Sequence, residues 1–101
     1  MFLAEVLGTV VSPVQHPALD GQRLLLLAVL KPDGAPAGKT RIALDRAGAG
    51  VGERVLVIDE GNSGRQLVAR ENAPVKTVIV GVVDYVELGG RLVYDARAEP
   101  G

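Results

Sequence analysis

The chain has 101 residues, one domain by length, and 48 % of them are hydrophobic, enough to bury a single modest core and too many for a disordered chain. Its 11 basic and 12 acidic residues nearly cancel and are spread evenly, and its aromatic residues are one Phe and two Tyr. No basic block can release counterions from a phosphate backbone and few rings can stack on bases, which argues against nucleic acid as a partner.

Cysteine is absent, which removes disulfides and thiolate metal sites. The longest apolar run, Leu24 to Leu30, is seven residues, far short of a membrane span. Met1-Phe2-Leu3-Ala4-Glu5 lacks a positively charged leader, so a soluble cytoplasmic protein with no membrane partner is expected.

Turn signals recur along the chain at Ser12-Pro13, Asp20-Gly21, Pro32-Asp33-Gly34, Gly48 to Gly52, Gly61-Asn62 and Gly89-Gly90. Between them lie short segments rich in Val, Ile and Leu, the rhythm of a small all-β sandwich or barrel. Strands are expected over 2–14, 22–30, 40–44, 53–58 and 77–87. A last strand over 91–94 should pair with the fifth across Gly89-Gly90, a dipeptide suited to a tight hairpin. Only 63–70 reads as helical, a short helix with Asn62 or Ser63 as its N-cap. The barrel domain is taken as 1–95, with a tail over 96–101 that has no apolar pattern.

Periodicity carries the first functional argument. A strand in a small antiparallel barrel alternates apolar-in with polar-out, and two segments here do not. Leu24-Leu25-Leu26-Leu27-Ala28-Val29-Leu30 and Val78-Ile79-Val80-Gly81-Val82-Val83 are apolar on both faces. One face of each fills the barrel, and the expected helix is too short to cover the other. The excess apolar surface points to oligomerisation; cover by loops, or a two-layer sandwich, is the alternative.

Candidate chemistry is thin. His16 is the single histidine, in the turn-like Pro13-Val14-Gln15-His16-Pro17, with no second ligand or nucleophile at a telling spacing. Gly48-Ala49-Gly50-Val51-Gly52 looks like a phosphate loop, but the segment after it, from Glu53 to Asp59, reads as a strand where a helix N-terminus is required, and no P-loop lysine is present. The glycines suit a sharp turn or a close approach to another chain. Scattered acids read as turn formers and rim charges. Gly61-Asn62-Ser63-Gly64-Arg65 could offer backbone N–H groups and a guanidinium to an anion, or simply start the helix. No catalytic, cofactor or metal residue is assigned, and an enzyme is not expected.

Three segments in order resemble the pentameric vertex proteins of bacterial microcompartments, the shell proteins of carboxysomes and metabolosomes. They are Val6-Leu7-Gly8-Thr9-Val10-Val11-Ser12 with Leu19-Asp20-Gly21-Gln22-Arg23-Leu24-Leu25-Leu26; 45–57 with the 61–65 loop behind it; and Pro74-Val75 leading into Val78-Ile79-Val80-Gly81-Val82-Val83-Asp84. The resemblance runs from the first residues to about Leu88. It implies a small β-barrel with an oligonucleotide-binding-like (OB-like) look, which together with the strands read above gives a five-stranded barrel with one short helix and a C-terminal hairpin. It also implies a structural subunit that forms a homo-pentamer, caps five-fold shell vertices and abuts hexameric shell proteins. A cyclic ring is heterologous, so each subunit must present two different complementary faces.

Small polar loops suggest a pore lined by Asn62, Ser63, Gly64 and Arg65, with Gly48 and Gly50 second. Two departures bear on that pore rather than on the fold: the family loop is often Gly-Ser-Ser-Ala-Arg, and an aspartate usually stands where this chain has Lys76. Two rivals remain. One is an OB-type binding module acting alone on nucleic acid. The other is a small oligomeric enzyme or ligand-binding protein, for which His16, Asp45 and Glu53 would be the groups to test.

Overall fold

The computed structural model describes residues 1–11, 17, 21–59 and 77–97. Its strands are β1 (Phe2–Val10), β2 (Leu24–Leu30), β3 (Pro36–Asp45), β4 (Arg54–Asp59), β5 (Thr77–Val82), β6 (Tyr85–Leu88) and β7 (Arg91–Asp95). The first five close into a barrel in the order β1-β2-β3-β5-β4, with β4 pairing back onto β1. Only β3 and β5 run parallel, joined at Leu44 with Val78 and Asp45 with Ile79. A closed five-stranded barrel of this order has the OB-type topology.

Alternation along each strand puts one set of side chains inside. Val6, Leu25, Leu27, Val55, Val57 and Ile79 are buried there together with Ala4, Ala43 and Ala49. Large and small side chains face each other across the ladder, Leu25 opposite Ala43 and Val55 opposite Ala4, which lets a narrow barrel fill without clashes. Each buried Leu, Val or Ile contributes about 1.5–3 kcal/mol.

A second apolar row lies on the opposite face. Val10, Leu24, Leu44, Val78 and Ile58 are successive register partners across all five barrel strands. Leu24, Leu44 and Val78 are buried, and Val10 and Ile58 pack against them. Part of the outer face of both doubly apolar strands is therefore covered within one chain, as the cover-by-loops alternative allows. The excess left exposed is smaller than the sequence pattern implies; it includes Leu7, Ile42, Val80 and Val82.

A polar cluster closes one end of the barrel. Arg41, Asp59 and Thr77 share the inward parity of Ala43, Val57 and Ile79. Arg41 Nη2 donates to Asp59 Oδ1 at 2.5 Å and to Thr77 Oγ1 at 2.7 Å, while Thr77 Oγ1 donates to Asp59 Oδ1 at 2.9 Å. The guanidinium also stands 5.4 Å over the ring of Phe2, which packs on the core.

Several strand limits differ from expectation. β1 stops at Val10, not at 14, and β3 begins at Pro36, not at 40. The long fifth strand is two: β5 ends at Val82, and β6 starts at Tyr85 after Val83-Asp84. The break has a cause in hydrogen bonding. Val83 N donates to Arg54 O at 2.9 Å, ending the run along β4, and Ala96 N donates to Asp84 O at 2.7 Å, opening the ribbon that leaves the barrel.

β7 pairs across Gly89-Gly90 with β6, the end of the expected fifth strand, as the sequence implies, and the two form a separate two-stranded sheet. Gly89 and Gly90 turn it with φ of 60° and 81°, the pair of positive values a two-residue type I′ hairpin needs. No α-helix occurs among the described residues. The short helix expected over 63–70 lies outside them, and that detail is not borne out.

Candidate functional site

Of the loop residues proposed from the sequence, Asn62, Ser63, Gly64 and Arg65 lie outside the described residues, as does His16. Gly48 and Gly50 are described, in the loop from Asp45 to Glu53 between β3 and β4. Asp45 organises this loop. Its Oδ1 accepts N–H bonds from Ala47 and Gly48 at 3.0 Å each and from Ala49 at 3.3 Å, and Oδ2 accepts from Ala49 at 3.1 Å. Only 2 % of the Asp45 side chain is exposed, so the carboxylate is an internal anion held by its own following turn.

Arg23, just before β2, neutralises it. Arg23 Nη1 donates to Asp45 Oδ2 at 2.9 Å and to Ala49 O at 2.7 Å. The far end of the loop is fixed as well: Gly50 N donates to Glu53 Oε1 at 2.5 Å, Gly52 N to Val6 O at 2.9 Å, and Val6 N to Glu53 O at 3.0 Å. Ala49 is fully buried and joins the core. The loop thus resembles a phosphate cradle because it is one, already filled by the side chain of Asp45. A nucleotide phosphate would find those N–H groups taken.

The surface an OB barrel would use for nucleic acid is equally unsuited. By parity with buried Leu25 and Ala43, the outward side chains of β2 and β3 include Leu26, Ala28, Thr40 and Ile42. None is aromatic, and single-strand binders need rings and cations on this face. Phe2 packs against the core and the two tyrosines sit in the β6–β7 hairpin. Among the described residues no group of three or more His, Asp or Glu could hold a metal, and no helix is long and apolar enough to cross a membrane.

Two surface concavities are lined by described residues. One, of about 330 Å³, is lined by Met1, Phe2, Leu3, Leu30, Pro32 and Leu56. The other, of about 360 Å³, lies where β1 ends and β2 begins, lined by residues including Thr9, Val11, Gln22 and Arg23. Neither gathers converging titratable groups. What the fold offers is a small barrel in which Asp45 and Glu53 are committed to the β3–β4 loop and Arg41, Asp59 and Thr77 to one another. Its exposed large hydrophobics, Leu7, Ile42, Val80 and Val82 among them, are surface of the kind that a subunit contact covers.

Comparison with known proteins agrees. The family model EutN/CcmL, described as "Ethanolamine utilisation protein EutN/carboxysome", matches residues 1–84. The bacterial microcompartment shell vertex protein EutN of Escherichia coli K12 is 39 % identical over 94 residues, 93 % of this chain and 98 % of that protein. The solved structure of CcmL from Gloeobacter violaceus superposes with a TM-score of 0.86 at 35 % identity, covering 97 % of this chain and all of that one. GrpN of Rhodospirillum rubrum, solved as a pentameric microcompartment shell protein, superposes with a TM-score of 0.76 at 36 % identity, over 87 % of this chain and 99 % of its own. The chain belongs to the EutN/CcmL family. Its relatives are structural shell proteins and not enzymes, in line with the expectation from the residues.

Sequence reasoning passed over two features. Asp45 counted as one of several scattered acids, although Asp followed at i+3 by Gly is an Asx-turn signal. The Arg41–Asp59–Thr77 cluster carries no local signal at all, since its members come from three strands.

Proposed function

We propose that this protein is a structural subunit of a bacterial microcompartment shell, assembling as a cyclic homo-pentamer that closes five-fold vertices in the cytoplasm. The observation that carries this is the end-to-end match to shell vertex proteins, 98 % of the EutN relative at 39 % identity, on a closed five-stranded barrel. Geometry explains the role: a sheet of six-fold tiles closes only where five-fold units replace them. The edges of the disc would meet hexameric shell proteins. The pore would be lined by Asn62, Ser63, Gly64 and Arg65. Gly48 and Gly50 are weaker candidates, because that loop spends its N–H groups on Asp45 and Glu53 and presents Val51, 65 % exposed, to its surroundings. Residues 1–95 act as one unit in this reading, with 96–101 as a tail.

Native mass spectrometry of the purified chain tests the ring. A particle five times the 10.5 kDa chain mass is expected, and a monomer at micromolar concentration overturns the reading. A charge-reversing Arg65→Glu that leaves the particle intact but alters ion passage through reconstituted shells supports the pore assignment; unchanged passage removes it.

A further inference from the structure

The β6–β7 hairpin leaves the barrel with apolar side chains on both of its faces. Register places Val86 beside Tyr94, on the face turned toward Arg54 of β4. The other face carries Tyr85 and Glu87 from β6 and their partners Asp95 and Leu92 from β7. Tyr85 and Leu92 there are 58 % and 57 % exposed, and Leu88 near the turn is 45 % exposed. A two-stranded ribbon is marginal in water unless a face is packed, and this chain leaves one face open. The family model ends at residue 84, the residue before β6, and pentameric GrpN is matched over 99 % of its length by only 87 % of this chain. The hairpin lies beyond that family model but is shared with other relatives, since CcmL of Gloeobacter violaceus is matched over its whole length by 97 % of this chain.

A matching receptor lies on the barrel wall. Leu3 of β1 is the register partner of both Leu30 on β2 and Leu56 on β4, and these three outward side chains floor the 330 Å³ groove. Lys31, whose chain neighbours Leu30 and Pro32 line the groove, is exposed and its ammonium has no charged partner among the described residues; the same is true of Glu87 on the open face of the hairpin. An apolar ribbon edged by an unpaired acid and an apolar groove edged by an unpaired base are complementary.

We propose that the hairpin is a docking arm for a second copy of this chain: its Tyr85–Leu92 face seats in the Leu3–Leu30–Leu56 groove of the adjacent subunit, with Glu87 against Lys31. The proposal rests on the ring reading. Arm and groove are different patches, so the contact is head-to-tail and compatible with a closed ring, not with a two-fold dimer. Three large side chains fall well short of the roughly 800 Å² per partner of a stable interface. The arm therefore reinforces barrel-to-barrel contacts and does not replace them.

The chain has no cysteine, so disulfide trapping reads the contact directly. The full-length double variant Leu92→Cys/Pro32→Cys, both at exposed positions, is oxidised and run on a non-reducing gel beside a native mass measurement. Expected is an interchain ladder from a particle of ring mass, with a cross-linked dimer also forming when the two single variants are co-expressed. A ring-mass particle with no bridge, or with only an intrachain bridge, overturns the arm and leaves the ring standing. A monomer overturns both. In the same background, Glu87→Lys should cut the cross-link yield several-fold and Glu87→Lys with Lys31→Glu should restore it. An unchanged yield in the first removes the charge pairing.

Discussion

The guanidinium of Arg54 on β4 lies 4.1 Å over the ring of Tyr94 on β7, a contact that ties the terminal hairpin to the barrel. Arg54 is confined on another side by the β2–β3 turn: a Cβ added to Gly34 would stand 2.7 Å from Arg54 Nη1, at a φ of 91° that side chains other than glycine rarely adopt. Three separate segments thus meet at one side chain.

A partly exposed cation–π contact is worth about 0.5–1 kcal/mol. Tyr94→Ala should therefore raise amide exchange over 85–95 by about 2- to 5-fold, while the denaturation midpoint of the barrel stays put. Tyr94→Phe keeps the ring and should behave as the unaltered chain. Gly34→Ala should lower the barrel midpoint as well, since it strains the turn and displaces the guanidinium. Equal exchange in Tyr94→Ala and the parent would show that the ring does not anchor the hairpin.

Asp45 supports a sharper expectation. Its buried carboxylate receives three backbone N–H groups and the Arg23 guanidinium, so Asp45→Ala orphans all of them at once. A loss of about 3–5 kcal/mol in urea unfolding is expected. Asp45→Asn keeps an acceptor but turns an NH₂ toward the donors, and should cost less. Arg23, half exposed, can be truncated to Ala for about 1–2 kcal/mol, its partner still holding the three amides. Comparing the three midpoints at constant m-value checks the order; a neutral Asp45→Ala would mean that water replaces the carboxylate.

The parts of the fold legible in the sequence are those set by short-range chemistry. Gly89-Gly90 identifies its own hairpin because both positions need positive φ. The barrel strands follow from Val, Ile and Leu runs between turns. What is not legible depends on partners far along the chain. Asp84 is a poor strand former in a good β-forming run. Yet the chain there passes from a β4 partner, through Val83 N to Arg54 O, to a β7-side partner, through Ala96 N to Asp84 O, and that depends on residues far along the chain. Pro36-Ala37-Gly38-Lys39 has poor strand propensity, yet belongs to β3 because a bulge lets Pro36 pair with Leu30. The double burial of Leu24 and Leu25 is readable as a pattern, whereas whether the outer one is covered by its own chain or by a neighbour is not. Of the candidate site, Asp45 was readable from its Asx-turn spacing and the Arg41 cluster was not.

The outward face of β2 and β3 predicts silence toward nucleic acid. With Leu26, Ala28, Thr40 and Ile42 in place of aromatic platforms, fluorescence anisotropy with labelled single-stranded DNA should show no binding at about 50 micromolar protein, even at low salt where phosphate contacts are strongest. A salt-dependent affinity would reopen the binding-module reading.

β5 offers the most discriminating test, because neighbouring positions on it have opposite fates. Val78 and Ile79 point to opposite faces, yet both are fully buried, Val78 in the outer apolar row and Ile79 in the core. Val80 and Val82, beyond the short parallel pairing with β3, are 38 % and 37 % exposed. A carboxylate at either buried position loses its hydration with no partner, a cost of several kcal/mol against a total stability of about 5–15 kcal/mol. Val78→Asp and Ile79→Asp should give insoluble or unfolded chains by circular dichroism. Val80→Asp and Val82→Asp keep the charge in water and should leave a folded barrel with a near-parental melting curve. The division therefore falls between the two halves of the strand, not between alternate residues as a simple inside–outside pattern implies. If the exposed half is covered in the ring, the same two variants should also shift the native mass from pentamer toward monomer. Variants that fold and still form the full ring would place this end of β5 outside every subunit contact.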